Sequence, residues 1–106
     1  KTTAEAQGWR LRQEVPGFLA MAVNTRGDPA AAPGSLPVQW VFSDGLSSVS
    51  LFVEPFDEKR HRQEGAASLG ATYTLTRRLG DHWLTAMGEV PAATLRQFAQ
   101  SVERIR

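Results

Sequence analysis

The side chains of this chain that could act on a substrate are few. They are two histidines, His61 and His82, a cluster of Ser43, Asp44, Ser47, Ser48 and Ser50, and the carboxylates Asp57, Glu58 and Asp81. A zinc centre needs three or four Cys, His or carboxylate ligands at workable spacing. There are no cysteines, His61 sits in a charged segment and His82 beside a turn, so no ligand pattern forms. A hydrolase serine needs a base and a strand–turn–helix elbow, and no elbow surrounds the serine cluster. The acidic residues are not paired across a cleft as acid–base chemistry requires. None of the nine glycines falls in a phosphate-cradling spacing ahead of a helix. The expectation is a protein that is not an enzyme and has no cofactor and no metal.

What remains is recognition. Arg77, Arg78 and Trp83 would lie together on the outer face of a hairpin, and Arg beside Trp is a frequent composition of binding hot spots. The plain alternative is an arginine laid over an indole as cross-strand cover. Phe52 is a second candidate, an aromatic on an otherwise polar strand face. It would meet a partner or a neighbouring domain, or sit under the segment 55–70. Only Lys1 and Lys59 are lysines, and the other ten basic residues are arginines. Arginine suits planar contacts to carboxylate or phosphate, although a GC-rich coding sequence produces the same bias. With 12 basic and 11 acidic residues the net charge is +1, too small for a general nucleic-acid or membrane surface. The tripeptide Arg26-Gly27-Asp28 reads as part of a Gly-Asp-Pro turn rather than an adhesion motif.

These residues need elements to hold them. Residues 38–42 and 48–53 alternate apolar and polar around Asp44-Gly45, a strong hairpin signal. A two-residue turn there sets Trp40 opposite Val49 and Val38 opposite Leu51. Trp40, Phe42 and Val53 then share the buried face, and Gln39, Ser48 and Ser50 the other. Residues 71–78 alternate Tyr73 and Leu75 with threonines, Gly80-Asp81 is a second hairpin turn, and residues 82–88 return. That register opposes Leu75 to Ala86, Arg77 to Leu84 and Arg78 to Trp83. Trp9 and Leu11 suggest a short strand, and residues 18–23 a strand covered on both faces or partly so. Residues 26–37, rich in Pro, Gly and Ala, read as a surface loop, and 58–67 as either helix or charged loop.

The last element is a helix. Gly88 and Pro91 mark its start, Glu89 suits its positive end, and Arg104 and Arg106 its negative end. Leu95, Phe98, Ala99 and Val102 form one apolar stripe that must pack on the sheet. The fold class is α+β: an antiparallel sheet of about five or six strands built from hairpins and packed by one C-terminal helix. At 106 residues this is one domain, residues 9–106, behind a flexible lead-in of residues 1–8. No apolar run nears the roughly 20 residues of a membrane span. The chain opens on Lys1 rather than Met, so it reads as a piece of a longer protein, and a missing leader says little about location.

Two stretches go beyond generic patterning: VFSDGLSSVSLFVEP at 41–55, and RRLGDH at 77–82 followed by GEVPAAT at 88–94. With Leu11 and PGFL at 16–19 ahead of them, they resemble the C-terminal domain of the RseB/MucB family over residues 9–102. The Ala/Pro-rich loop at 30–37, Trp40 and Trp83 depart from the commoner pattern without touching the turn motifs. The resemblance implies a periplasmic regulator of Gram-negative bacteria. Such a protein binds the periplasmic segment of an RseA/MucA-type anti-sigma factor and shields it from proteolysis, restraining the envelope-stress response. It also implies a larger N-terminal lipoprotein-carrier-like domain outside these residues, a possible partner of this one. Lipopolysaccharide is a possible ligand of the full-length protein. The alternative function is a lipid or lipopolysaccharide-binding module. No nucleic-acid partner is expected.

Overall fold

The computed structural model describes residues 3–25, 27, 35–59 and 63–105. Among the described residues eight strands and one helix follow in order: β1 (Trp9–Leu11), β2 (Leu19–Thr25), β3 (Val38–Ser43), β4 (Ser48–Pro55), β5 (Gly65–Leu69), β6 (Thr72–Leu79), β7 (His82–Gly88), α1 (Ala92–Ser101) and β8 (Val102–Arg104). Strands β2-β3-β4-β7-β6-β5 form one antiparallel sheet, and β1 pairs with β8 in a small second ribbon. The α+β expectation holds.

The first hairpin forms where the Asp-Gly signal places it, but with a different loop. Trp40 pairs with Leu51, Val38 with Val53 and Phe42 with Val49, so residues 44–47 make a four-residue turn. The Asp44 carboxylate causes this. Its Oδ1 accepts the backbone N–H of Leu46 (2.9 Å) and of Ser47 (2.7 Å), and Gly45 takes φ +95°. A side chain that closes its own turn outcompetes the tighter backbone turn. The slip is two residues, so every side chain keeps its face. The second hairpin has the expected register, with Arg78 opposite Trp83 and Leu79 opposite His82, and Gly80 turning at φ +59°.

The helix lies on one face of the sheet. Leu95, Phe98 and Ala99 are buried with Trp40, Phe42, Val49, Leu51, Val53, Leu84 and Ala86. Phe98 is fully buried, its ring 4.9 Å from Phe42 and 5.3 Å from Phe18. Pro91 precedes the helix with extended backbone, and its carbonyl accepts the N–H groups of Thr94 and Leu95.

The helix is shorter than the apolar stripe suggests. It ends at Ser101, and Val102 begins β8, pairing with Leu11. Arg104 therefore lies opposite Trp9 in the ribbon rather than at a helix terminus, and Arg106 is outside the described residues. Strand β2 is a sheet edge among the described residues, with Leu19 to Ala22 exposed and Val23 packed against the core, so it is covered only in part and not on both faces. The 58–67 segment resolves into neither option at its end: Gly65 starts strand β5, while residues 60–62 are outside the described residues. Most of the 26–37 loop, with Arg26 and Asp28, is also outside them. In the lead-in, residues 4–8 are turns, and Ala4 is buried with its carbonyl accepting the Trp9 N–H at 2.9 Å.

Candidate functional site

The helix covers one face of the six-stranded sheet, and the strand alternation puts a second set of side chains on the other. Cross-strand rows on that outer face run Asn24, Gln39, Phe52, Thr85 and Thr76, and beside it Ala22, Val41, Ser50, Met87 and Thr74. A third row sets Glu54, Trp83 and Arg78 side by side. Phe52, Trp83 and Arg78 thus share one face.

Arg77 does not. It lies opposite the buried Leu84, on the helix side, and its Nη1 donates to the carbonyl of Ala99 at 3.1 Å. The expectation that Arg77 belongs to the outer surface is therefore corrected. Its side chain ties the sheet to the last turn of α1, where unpaired carbonyls and the negative end of the helix dipole favour a cation.

Trp83 is on the outer face but only 6% exposed. Phe56 lies beside it, ring centroids 6.0 Å apart, and the Arg78 guanidinium lies 3.8 Å above the Phe56 ring. The arginine covers phenylalanine rather than the indole. Arg78 is fixed further by its Nε donating to the Gly80 carbonyl at 2.8 Å, and its backbone N–H donates to Glu64 Oε2 at 2.7 Å. The result is a layered post of Trp83, Phe56 and Arg78 whose exposed top is a held cation. Phe56 was not singled out from sequence. The signal was present, because 52, 54 and 56 continue one parity, and the Phe56 N–H still pairs with the Asp81 carbonyl at 2.8 Å.

Phe52 is half-buried and lines a hollow of about 310 Å³ with Asn24, Pro37, Gln39 and Glu54. Of the turn and cap residues, Asp44 and Gly45 close the first hairpin, Gly88 pairs with Val49 and Tyr73 at the end of β7 and Pro91 precedes the helix, while the carbonyls of Gly80 and Asp81 hold Arg78 and Phe56 of this surface. The pKa of Asp44 is displaced: the N–H groups of Ser47 and then Leu46 lower it below the ordinary carboxylate value.

A different group gathers where the second hairpin turn meets the β1–β8 ribbon. Arg77, Asp81, His82, Glu103 and Arg104 wall a hollow of about 770 Å³. His82 packs edge-on against Trp9 at 4.7 Å, and Arg104 Nη1 donates to His82 Nε2 at 3.2 Å. Glu103 pairs with Arg10 at 2.6 Å. The charges here are mixed, and among the described residues no group of three or more His, Cys, Asp or Glu could hold a metal. The serine cluster is spread along the first hairpin, with the Ser43 Oγ accepting the Gly45 N–H. The described surface offers chemistry for contact: a flat, weakly polar sheet face with one cationic post.

The profile of the MucB/RseB C-terminal domain family matches residues 3–103. Among solved structures the chain resembles MucB in complex with MucA(peri), at a TM-score of 0.74 and 27% identity, over 93% of this chain and 37% of that one. It likewise resembles a chain of the Pseudomonas aeruginosa MucA/MucB complex, at a TM-score of 0.75 and 28% identity, over 93% of this chain and 35% of that one. It therefore spans little more than a third of the length of those chains. No curated protein sequence matches it significantly.

Proposed function

The chain belongs to the MucB/RseB C-terminal domain family, and from that premise we propose that it is a periplasmic binding domain for the periplasmic segment of a MucA-type anti-sigma factor. The observation that carries this is the shared fold: 93% of the chain superposes on MucB chains whose solved structures are complexes with MucA. The mechanism is steric and uses no catalysis. A segment held against the domain cannot be extended into a protease, so the anti-sigma factor survives and the envelope-stress response stays restrained.

The uncovered outer sheet face supplies the contact surface. Met87, Val41 and Phe52 offer apolar area, and the Arg78 post at one side offers a cation whose geometry is set before binding. Preformed contacts lose less entropy on association than free side chains do. Contact with an N-terminal lipoprotein-carrier-like domain, and any recognition of lipopolysaccharide, belong to the longer protein. The largest charged hollow described above is walled by residues of both signs, a poor holder for acyl chains.

The test is a titration of the MucA-type periplasmic segment against this chain and against Arg78→Glu, with protease protection of the segment read in parallel. The expected result is measurable binding and protection, weakened about tenfold by the variant, equivalent to about 1.4 kcal/mol, while the variant still unfolds cooperatively with a melting temperature lowered by no more than about 8 °C. No binding and no protection by the unmodified chain would sink the reading. Equal affinity of the variant would remove the Arg78 post from the surface.

A further inference from the structure

Strand β2 ends the sheet, with no strand on its far side among the described residues. Its seven residues, Leu-Ala-Met-Ala-Val-Asn-Thr, contain no charge and no proline. Leu19 is 72% exposed and Met21 62%. Edges of natural sheets are usually blunted by lysine, proline, shortness or a bulge, because an open row of N–H and C=O groups recruits another strand. Here a register irregularity between Ala20 and Ala22 makes Met21 the extra residue. Such a bulge disturbs pairing at one end. The stretch beyond it, Ala22 to Thr25, pairs regularly with Val41 to Val38 and so keeps strand geometry.

A hollow of about 330 Å³ runs beside that regular stretch. It is lined by residues 20–24 of β2, by residues 3–5 of the lead-in and by Trp40, so it extends along the bulge as well. On the opposite side of the strand, Ala22 and Asn24 begin the outer-face rows that lead to Val41 and Phe52. A strand laid along β2 would send alternate side chains into the hollow and onto the outer face. The other edge, β5, is as open, but four of its five residues are Gly, Ala or Ser and offer little side-chain contact. Self-pairing of two copies is a poor use of β2. Seven residues make an edge roughly 23 Å long, and one strand pair of that length falls short of the roughly 800 Å² per partner of a stable protein interface. A flexible segment is not under that demand, since backbone hydrogen bonds and two rows of side chains serve it residue by residue.

We infer that an extended, mainly uncharged stretch of the anti-sigma partner adds to β2 as a seventh strand of the sheet, an inference that rests on the function proposed above. The pairing withdraws the backbone of that stretch from any protease, because a protease must itself bind its substrate extended.

The test is backbone hydrogen exchange of this chain with and without the MucA-type periplasmic segment, alongside a titration of Met21→Lys/Asn24→Lys. Both substituted side chains are exposed. The expected result is slowed exchange in β2 on binding, at least tenfold weaker binding by the double variant, and an unchanged melting temperature. Binding that leaves β2 exchange untouched, or a double variant that binds like the parent, overturns the edge while leaving the proposed function standing. A concentration-dependent dimer, lost in the double variant and unaffected by the segment, overturns it in favour of self-pairing. Absence of any binding by the parent chain overturns both.

Discussion

Arg77 and Ala99 are joined across the core boundary: the guanidinium Nη1 of the strand residue donates to the carbonyl of the helix residue at 3.1 Å. Hydrogen bonds from charged donors are worth about 1.5–3 kcal/mol when buried, and this one is only partly buried. Arg77→Ala should therefore cost about 1 kcal/mol, a fall of roughly 4–8 °C in melting temperature for a domain of this size. Segment affinity should not change, since Arg77 is off the outer face. Reduced affinity at unchanged stability would return Arg77 to the recognition surface.

Phe98 is the centre of the packing between helix and sheet, touching both Phe18 and Phe42 by ring edges or tilted faces. Phe98→Ala should lower unfolding stability by about 3–5 kcal/mol in urea titration. Phe98→Asp should leave no folded population, because total domain stability is about 5–15 kcal/mol and a buried charge is added to the cavity. A cooperative transition near the parent midpoint for Phe98→Asp would contradict the described core.

Gly88 is fixed by space rather than by backbone angle. A Cβ there would sit 2.6 Å from the Ser48 carbonyl oxygen and 3.3 Å from Val49, so the β4–β7 pairing would have to give. Gly88→Ala should destabilise by about 1–3 kcal/mol. Gly45→Ala meets no such obstacle, and its cost comes only from the positive φ. Chemical denaturation of the two variants separates the causes: equal losses would argue against the close approach at Ser48.

Asp44 links the first hairpin to acid stability. Its folded pKa is lowered by the N–H groups of Ser47 and Leu46, so the folded state favours the carboxylate. The stability this contributes is complete above the unfolded value of about 3.9 and is lost as pH falls through the lower folded value. The stability gap between the parent and Asp44→Ala should thus be constant above about pH 5 and narrow as pH falls below about 4. A gap independent of pH down to the acid transition would show that the carboxylate charge does not matter to the turn.

The sequence-based reading and the structure diverge at particular residues. Parity along β3, β4, β6 and β7 was readable because most inward positions are apolar and the two turn signals fix which residues face each other, and it placed Trp40, Phe42, Leu51 and Leu84 inside. The same parity put Arg77 with Leu75 and Leu84 on the inner face, yet an arginine reads as surface until an acceptor such as the Ala99 carbonyl is known. Strand β5 was hidden because Gly-Ala-Ala-Ser-Leu has neither β-branched nor aromatic residues; pairing with β6 makes it a strand. The break between α1 and β8 was hidden for a similar reason. Val102 continues the helical spacing, and only its long-range partner Leu11 takes it out of the helix. Of the candidate surface, Arg78 opposite Trp83 was legible as one cross-strand pair and Phe52 as an aromatic on a polar strand face, but their common face came only with the β4–β7 pairing, and Phe56 escaped notice just past the end of β4. The open edge at β2 could not be read at all, since strand order is a property of the whole sheet.

The four-residue turn at Asp44 has an evolutionary and engineering corollary. Because inside and outside alternate with every residue along the paired strands, the constraint there falls on the register of the arms rather than on the number of residues between them. Relatives or designed variants with residues added inside 44–47 can keep the same interior, whereas a one-residue slip of β3 would turn Trp40 and Phe42 out into solvent, and one of β4 would do the same to Leu51 and Val53. This loop is the natural place to lengthen the molecule, graft a tag or attach a probe without disturbing its core.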